Sequence, residues 1–63
     1  MFNDYYNDAL NRTSYKISDA WTNLEHAKER VVDYDDDICK KINDVQKSVN
    51  DLLDYILRKI EES

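Results

Sequence analysis

The chain has 63 residues, nine of them basic and fourteen acidic, with one cysteine, one histidine and neither glycine nor proline. A chain this short forms one domain at most, and these two side chains are too few for an internal disulfide or a structural zinc site. A charged fraction of 37% excludes a membrane span, and a net charge of −5 argues against generic binding to a nucleic-acid backbone, which normally uses a basic stripe. Oligomerisation remains as the way to complete a small core.

The N-terminal half predicts a first helix from about residue 4 to residue 32, because apolar residues recur at three- and four-residue steps. Asn3 or Asp4 is a natural N-cap for it. The weakest helical segment is Asn11 to Ser14, where the helix could fray, kink or restart. MFNDYYNDAL lacks the basic and apolar regions of a secretory signal, so we expect a cytoplasmic protein.

One heptad frame, with Leu10 at position d, fits both halves of the chain. Its a and d positions are Leu10, Ser14, Ile17, Trp21, Leu24, Lys28, Val31, Asp35, Ile38, Ile42, Val45, Val49, Leu52, Ile56 and Lys59. The apolar stripe widens onto g positions in the first half and onto e positions in the second. A stripe of this width is typical of a helical bundle, in which each helix contacts two neighbours.

A run of aspartates, Asp33 and Asp35 to Asp37, predicts a bend between two helices. Aspartate is a poor interior helix former, and these side chains would repel one another on a continuous helix. At a bend they would instead cap a second helix and face its positive end. We therefore predict a connection over residues 33–36, with Asp33 in the left-handed conformation that glycine usually supplies, and a second helix over residues 36–61.

The predicted fold is all-α: one domain, residues 1–63, that forms a two-helix antiparallel hairpin and homodimerises into a four-helix bundle. The alternative is a coiled-coil dimer of continuous helices. A helix of some sixty residues would be a rod about 90 Å long.

No residue pattern in the chain predicts chemistry, so we expect a protein that is not an enzyme and has no catalytic, cofactor-binding or metal site. Trp21 is expected in the core. Cys39 is expected to be a small buried side chain, because its acidic neighbours do not favour a reactive thiolate. His26 falls at the outward f position and is expected to be solvated.

An aromatic and basic patch near the N-terminus is the first candidate partner-binding surface. Its residues are Phe2, Tyr5, Arg12, Tyr15 and Lys16. Exposed tyrosine beside arginine is the composition of a protein-interface hot spot and also of a base-stacking platform. Alternatively, Phe2, Tyr5 and Tyr6 pack over the open end of the hairpin or across the dimer.

An acidic stripe on the second helix is the other candidate surface. It comprises Asp33, Asp36, Asp37, Asp44, Asp51 and Asp54. Such a row of carboxylates could imitate a phosphate backbone. The alternative is a solvated face that keeps an acidic bundle soluble, and the interruption of the row by Lys40 and Lys47 favours it.

The length, the acidity and the aspartate-rich bend followed by Asp37-Ile38-Cys39 resemble the Rop family of plasmid-encoded hairpin dimers, which bind paired RNA loops. The resemblance implies a dimer of hairpins and leaves RNA binding as an alternative. Two features depart from the family: a buried register set by Ile38 and Ile42 would not place a cysteine in the core, and the first helix lacks a row of basic residues for an RNA duplex.

The functional prediction is therefore a small acidic protein-interaction module: a stoichiometric regulator or inhibitor, of the kind that phages and mobile elements encode, that docks on a larger host protein. A nucleic-acid mimic, a structural subunit of a larger assembly and a Rop-like RNA-binding hairpin are the alternatives.

Overall fold

The structure is a computed structural model that describes residues 3–62 as two packed helices, α1 (Asn3–Val31) and α2 (Asp36–Glu62). The hairpin measures 51 × 15 × 9 Å between Cα atoms, far shorter than a continuous rod of about 90 Å. The predicted all-α hairpin is thus confirmed, and its helices end within one residue of the predicted boundaries. Within residues 3–62, neither helix is long and apolar enough to cross a membrane.

Residues 32–35 connect the two helices, and the aspartate run acts as the predicted cap. Asp35 Oδ1 accepts a hydrogen bond from the Ile38 amide at 3.1 Å, which satisfies one of the free N–H groups at the start of α2. Asp36 and Asp37 lie in the first turn of α2, and Lys28 and Arg30 in the last turn of α1. Both helix dipoles are therefore complemented by charge at the connection.

The prediction that Asp33 adopts the left-handed conformation is wrong, because none of residues 3–62 has a positive φ. The carbonyl of Val31 instead accepts hydrogen bonds from the amides of Tyr34, at 2.9 Å, and Asp35, at 2.8 Å. These two bonds close the end of α1 with right-handed geometry. The chain reverses without the conformation that makes glycine common at helix ends.

The segment Asn11 to Ser14 stays helical, although its residues have low helix propensity. Ser14 Oγ donates to the carbonyl of Asn11 at 2.7 Å, and Ser14 is buried against α2. Tertiary packing of α1 therefore offsets the weak local preference.

The inner face of α2 uses positions a and e rather than the predicted a and d. Cys39 and Gln46, both at e, are buried together with Ile56 at a. The d residues Ile38, Val45 and Leu52 remain 43%, 49% and 47% exposed. The expected burial of Cys39 is confirmed. The prediction that Ile38, at position d, lies in the buried face between the helices is wrong for the single hairpin. Gln46 contacts Trp21 and Glu25 of α1 through its side-chain amide, and these contacts favour this rotation of α2.

Candidate interaction face

One side of the hairpin is closed by a polar network, formed by Glu25 and Lys28 of α1 with Asn43 and Gln46 of α2. Lys28 Nζ lies 2.9 Å from Glu25 Oε1, 2.9 Å from Asn43 Oδ1 and 3.2 Å from Gln46 Oε1. The Gln46 amide in turn donates to Glu25 Oε1 at 3.0 Å. Each member thus bonds to another across or along the helices, as a polar group in a helix interface requires.

The network changes the acidity of Glu25. The hydrogen bond from the Lys28 ammonium, followed by that from the Gln46 amide, holds the pKa of Glu25 below its ordinary value of 4.5. Both donors favour the charged carboxylate over the protonated acid. Glu25 therefore stays ionised at neutral pH and keeps the contact between α1 and α2 charged.

The opposite side of the hairpin is open and apolar. On the closed side, the e positions of α1 meet the b positions of α2. Because the helices are antiparallel, the opposite side is lined by the g positions of α1 and the d positions of α2. We call this side the open face; its residues are Thr13, Ala20, Ala27, Ile38, Val45 and Leu52. All six are exposed. A continuous aliphatic row of this kind is unusual on the surface of a monomer.

Aromatic residues extend the open face towards the ends of the helices that lie away from the turn. Lys59 Nζ lies 5.2 Å from the centre of the Tyr55 ring, within the range of a cation–π contact. The hydrogen bond with Tyr55 raises the pKa of Lys59 above its ordinary value, and Tyr6 on α1 makes a smaller contribution in the same direction. In the heptad frame Tyr6 and Tyr55 are at position g and Lys59 is at position d, so all three lie on or beside the open face.

The predicted aromatic and basic patch lies on the outward surface of α1. Tyr5 and Tyr15 are 89% and 71% exposed, and Arg12 Nε pairs with Asp8 Oδ2 at 2.8 Å along the same helix. Lys16 is exposed as well. Phe2 falls outside the described residues. Since these tyrosines point away from α2, packing across the hairpin does not account for their position.

The six aspartates of the acidic stripe are all exposed. Asp36 pairs with Lys40 at 3.3 Å in a contact that is itself mostly exposed, so it adds little stability. Asp37, Asp44 and Asp51 share the c position, one heptad apart, on the surface of α2 that points away from α1. His26 is also exposed, as predicted, and Trp21 is partly buried.

Sequence reasoning missed the polar network. Lysine and glutamine usually lie on the surface of proteins. In the sequence, Lys28 merely interrupts the apolar pattern of the a and d positions. The available signal was the spacing itself: Glu25 and Lys28 lie one turn apart, and Lys28 at position a must face the second helix. A lysine ammonium between two helices needs hydrogen-bond partners, and Asn43 and Gln46 of α2 provide them.

Searches against protein-family models, curated proteins and solved structures find no match for this chain.

Proposed function

We propose that this protein is a non-enzymatic interaction module that forms a homodimer of hairpins and regulates a larger protein by binding to it stoichiometrically. The observation that carries the proposal is the open face. It leaves Ile38, Val45 and Leu52 close to half exposed, at heptad spacing, along the length of a two-helix unit.

The small number of buried apolar residues, compared with the exposed ones, supports a partner for the open face. Among the described residues, the buried apolar side chains are Cys39 and Ile56, and the other buried residues are the polar Ser14 and Gln46. Two helices with so small a core are marginal on their own. Two hairpins that join their open faces bury the aliphatic rows of both and form a four-helix bundle.

The outward patch of α1 supports a second contact, with a different protein. Tyrosine and arginine are enriched in the residues that dominate binding energy at protein interfaces. Tyr5, Arg12 and Tyr15 lie on a surface that the proposed dimer leaves accessible. A regulator that docks through them needs no pocket or reactive group.

The mass of the protein in solution tests the dimer. Light scattering should give the mass of two 7.5 kDa chains. Val45→Asp places a charge in the open face, so it should reduce the mass to one chain and lower the helicity. Lys47→Asp, which introduces the same side chain at an exposed position, is the matched control and should leave the mass at two chains. A wild-type protein with the mass of one chain at about 100 µM, well above the dissociation constants of stable dimers, would contradict the proposed dimer.

Co-purification tests the regulatory role. Tagged protein from the native host should capture one larger protein in stoichiometric amount. Recovery of nucleic acid that survives physiological salt would instead support the RNA-binding alternative, because non-specific phosphate contacts weaken steeply with salt.

A further inference from the structure

We infer that a second copy of this chain can take the place of α2 in the hairpin, and that the aspartate run at the connection decides between the two forms. In the exchanged dimer, residues 32–35 become helical, α1 and α2 join into one straight helix, and α1 of each copy packs on α2 of the other. This contact uses the inner faces of the helices, so it does not rest on the proposed dimer of open faces.

The inner faces of α1 and α2 follow one continuous spacing through the connection. On either side of it, the row of inner residues, all buried or partly buried, is Leu24, Lys28, Val31, Cys39, Ile42 and Gln46. Residue 35 falls four residues after Val31 and four before Cys39, so the row continues in steps of three and four residues. Two successive steps of four are a stutter, which a continuous coiled-coil helix accommodates by local unwinding. On one straight helix, the inner faces of α1 and α2 would therefore lie on the same side.

The contacts between the helices are arranged symmetrically about the connection. Lys28 O contacts the Cys39 thiol at 3.7 Å, and Trp21 O contacts the Gln46 amide at 3.4 Å. In each pair the two residues are equally distant along the chain from the midpoint between residues 33 and 34. Two straight antiparallel helices related by a two-fold axis at that midpoint therefore repeat each contact twice, between copies. The exchanged dimer needs no new contact surface apart from the connection itself.

The connection already contains helical hydrogen bonds. The Asp35 amide donates to the Val31 carbonyl at 2.8 Å, and the Cys39 amide donates to the Asp35 carbonyl at 3.3 Å. Both bonds join residues four apart, as in an α-helix. None of residues 3–62 has a positive φ. Val32 and Tyr34 are 55% and 88% exposed, so little packing is lost when the connection straightens.

The charge of the aspartate run opposes this straightening. On one helix, Asp33 lies three and four residues from Asp36 and Asp37, where like charges repel. At the two-fold axis the run of one copy also meets that of the other, because the two copies of Asp35 lie about 4.5 Å apart along the helix axis. In the hairpin, by contrast, Asp35 caps α2, and Asp36 and Asp37 lie at its positive end. The aspartate run therefore favours the hairpin, and its removal should favour the exchanged dimer.

The shape of the particle in solution tests this inference. A four-alanine variant replaces every aspartate of the run: Asp33→Ala, Asp35→Ala, Asp36→Ala and Asp37→Ala. Small-angle scattering should show a particle about 90 Å long instead of the 51 Å of the hairpin, and light scattering should give a mass of at least two chains. The matched control removes the same charge at exposed positions within the helices and should keep the hairpin length: Asp19→Ala, Asp44→Ala, Asp51→Ala and Asp54→Ala. A hairpin length for the four-alanine variant at about 100 µM would overturn the inference.

Disulfide linkage gives a second readout, which separates this inference from the dimer of open faces. Ser18 and Asn50 lie one heptad from Glu25 and Asn43, which meet at the polar network, so they lie level with each other on neighbouring helices. In a Cys39→Ser background, Ser18→Cys with Asn50→Cys should link within one chain when the aspartate run is intact. In the four-alanine variant the same pair should link two chains, as a denaturing gel without reductant would show.

A milder variant keeps the linkage test decisive if four replacements impair folding. Asp33→Asn, Asp36→Asn and Asp37→Asn together remove three charges and retain the Asp35 cap, so this protein should fold and link a larger share of its chains in pairs than the parent does. Linkage within single chains in both variants would overturn the inference, whether or not the open faces dimerise. A parent with the mass of one chain would overturn the dimer of open faces alone.

Discussion

Gln46 joins the two helices from a position that is only 5% exposed: its Nε2 lies 3.0 Å from Glu25 Oε1 and 3.4 Å from the carbonyl of Trp21. Its Oε1 accepts from Lys28. A buried amide whose donor and acceptor are both satisfied in one register disfavours every register in which they are not. We therefore expect the polar network to fix the alignment of α1 and α2.

Lys28→Met should reduce the free energy of unfolding by about 1 to 3 kcal/mol, because it leaves the buried oxygen of Gln46 without its cationic donor. Lys40→Met is the matched control: it also removes an ion pair, with Asp36, but one whose side chains are 71% and 79% exposed. It should cost less than about 0.5 kcal/mol. Urea unfolding at one protein concentration measures both. Equal losses would show that the network adds no more than a surface ion pair.

Acid should weaken the hairpin through Glu25. Because its folded-state pKa is lowered, the ionised carboxylate stabilises the fold above its ordinary pKa of 4.5, and this contribution disappears as the pH falls through the lower folded value. Glu25→Gln should therefore lose less stability than the wild type between about pH 6 and pH 3. Thermal unfolding across this range provides the measurement. Glu29→Gln, at an exposed position on the same helix, should keep the wild-type dependence.

Asp35→Ala should cost about 1 kcal/mol, because it removes the side chain that caps α2. Asp35→Ser retains an acceptor for the Ile38 amide and should recover most of this loss. Asp33→Ala, at an exposed turn position, should have a smaller effect. Small-angle scattering should show a hairpin for every variant, and if Asp35→Ala lengthened the particle towards a rod, capping would be essential to the reversal of the chain.

Val49→Asp should abolish the fold. Val49 lies between the helices at position a and is partly buried, so an unpaired carboxylate there should cost several kcal/mol, comparable to the stability of so small a domain. Helicity and dimer should disappear together in circular dichroism and light scattering. Asn50→Asp introduces the same charge at the next, exposed position and should change neither. A helical and monomeric Val49→Asp protein would argue that the hairpin folds without its second copy.

Tyr5→Ala combined with Tyr15→Ala should leave helicity and mass unchanged, since both side chains are more than two-thirds exposed. The pair should reduce the amount of the larger protein captured from the native host by at least about tenfold, the effect of losing one interface hot spot. Replacing the exposed Asn23 with alanine is the control. Undiminished capture by the double variant would place the docking surface elsewhere.

The bend and its cap followed from the sequence because they are local: Asp35 bonds to an amide three residues away, and the aspartates precede a helix that attracts anions. The rotation of α2 was not predictable in the same way. Positions d and e of this helix are both mostly apolar, with one polar residue in each row. The choice between them depends on contacts from Gln46, at e, to Glu25 and Trp21 on the other helix. A periodicity within one helix carries no information about partners twenty residues away.

The start of α1 and the end of α2, the described helix ends farthest from the turn, lie at the same end of the hairpin. A pulling force applied there would separate α1 from α2 one layer at a time, because each contact is loaded only after the one before it has opened. The polar network around Gln46, beyond the middle of the hairpin, would be the strongest obstacle on this path. The two helices should therefore separate sequentially at low force. A bundle pulled along its helix axes, in which all contacts are loaded at once, would resist a higher force.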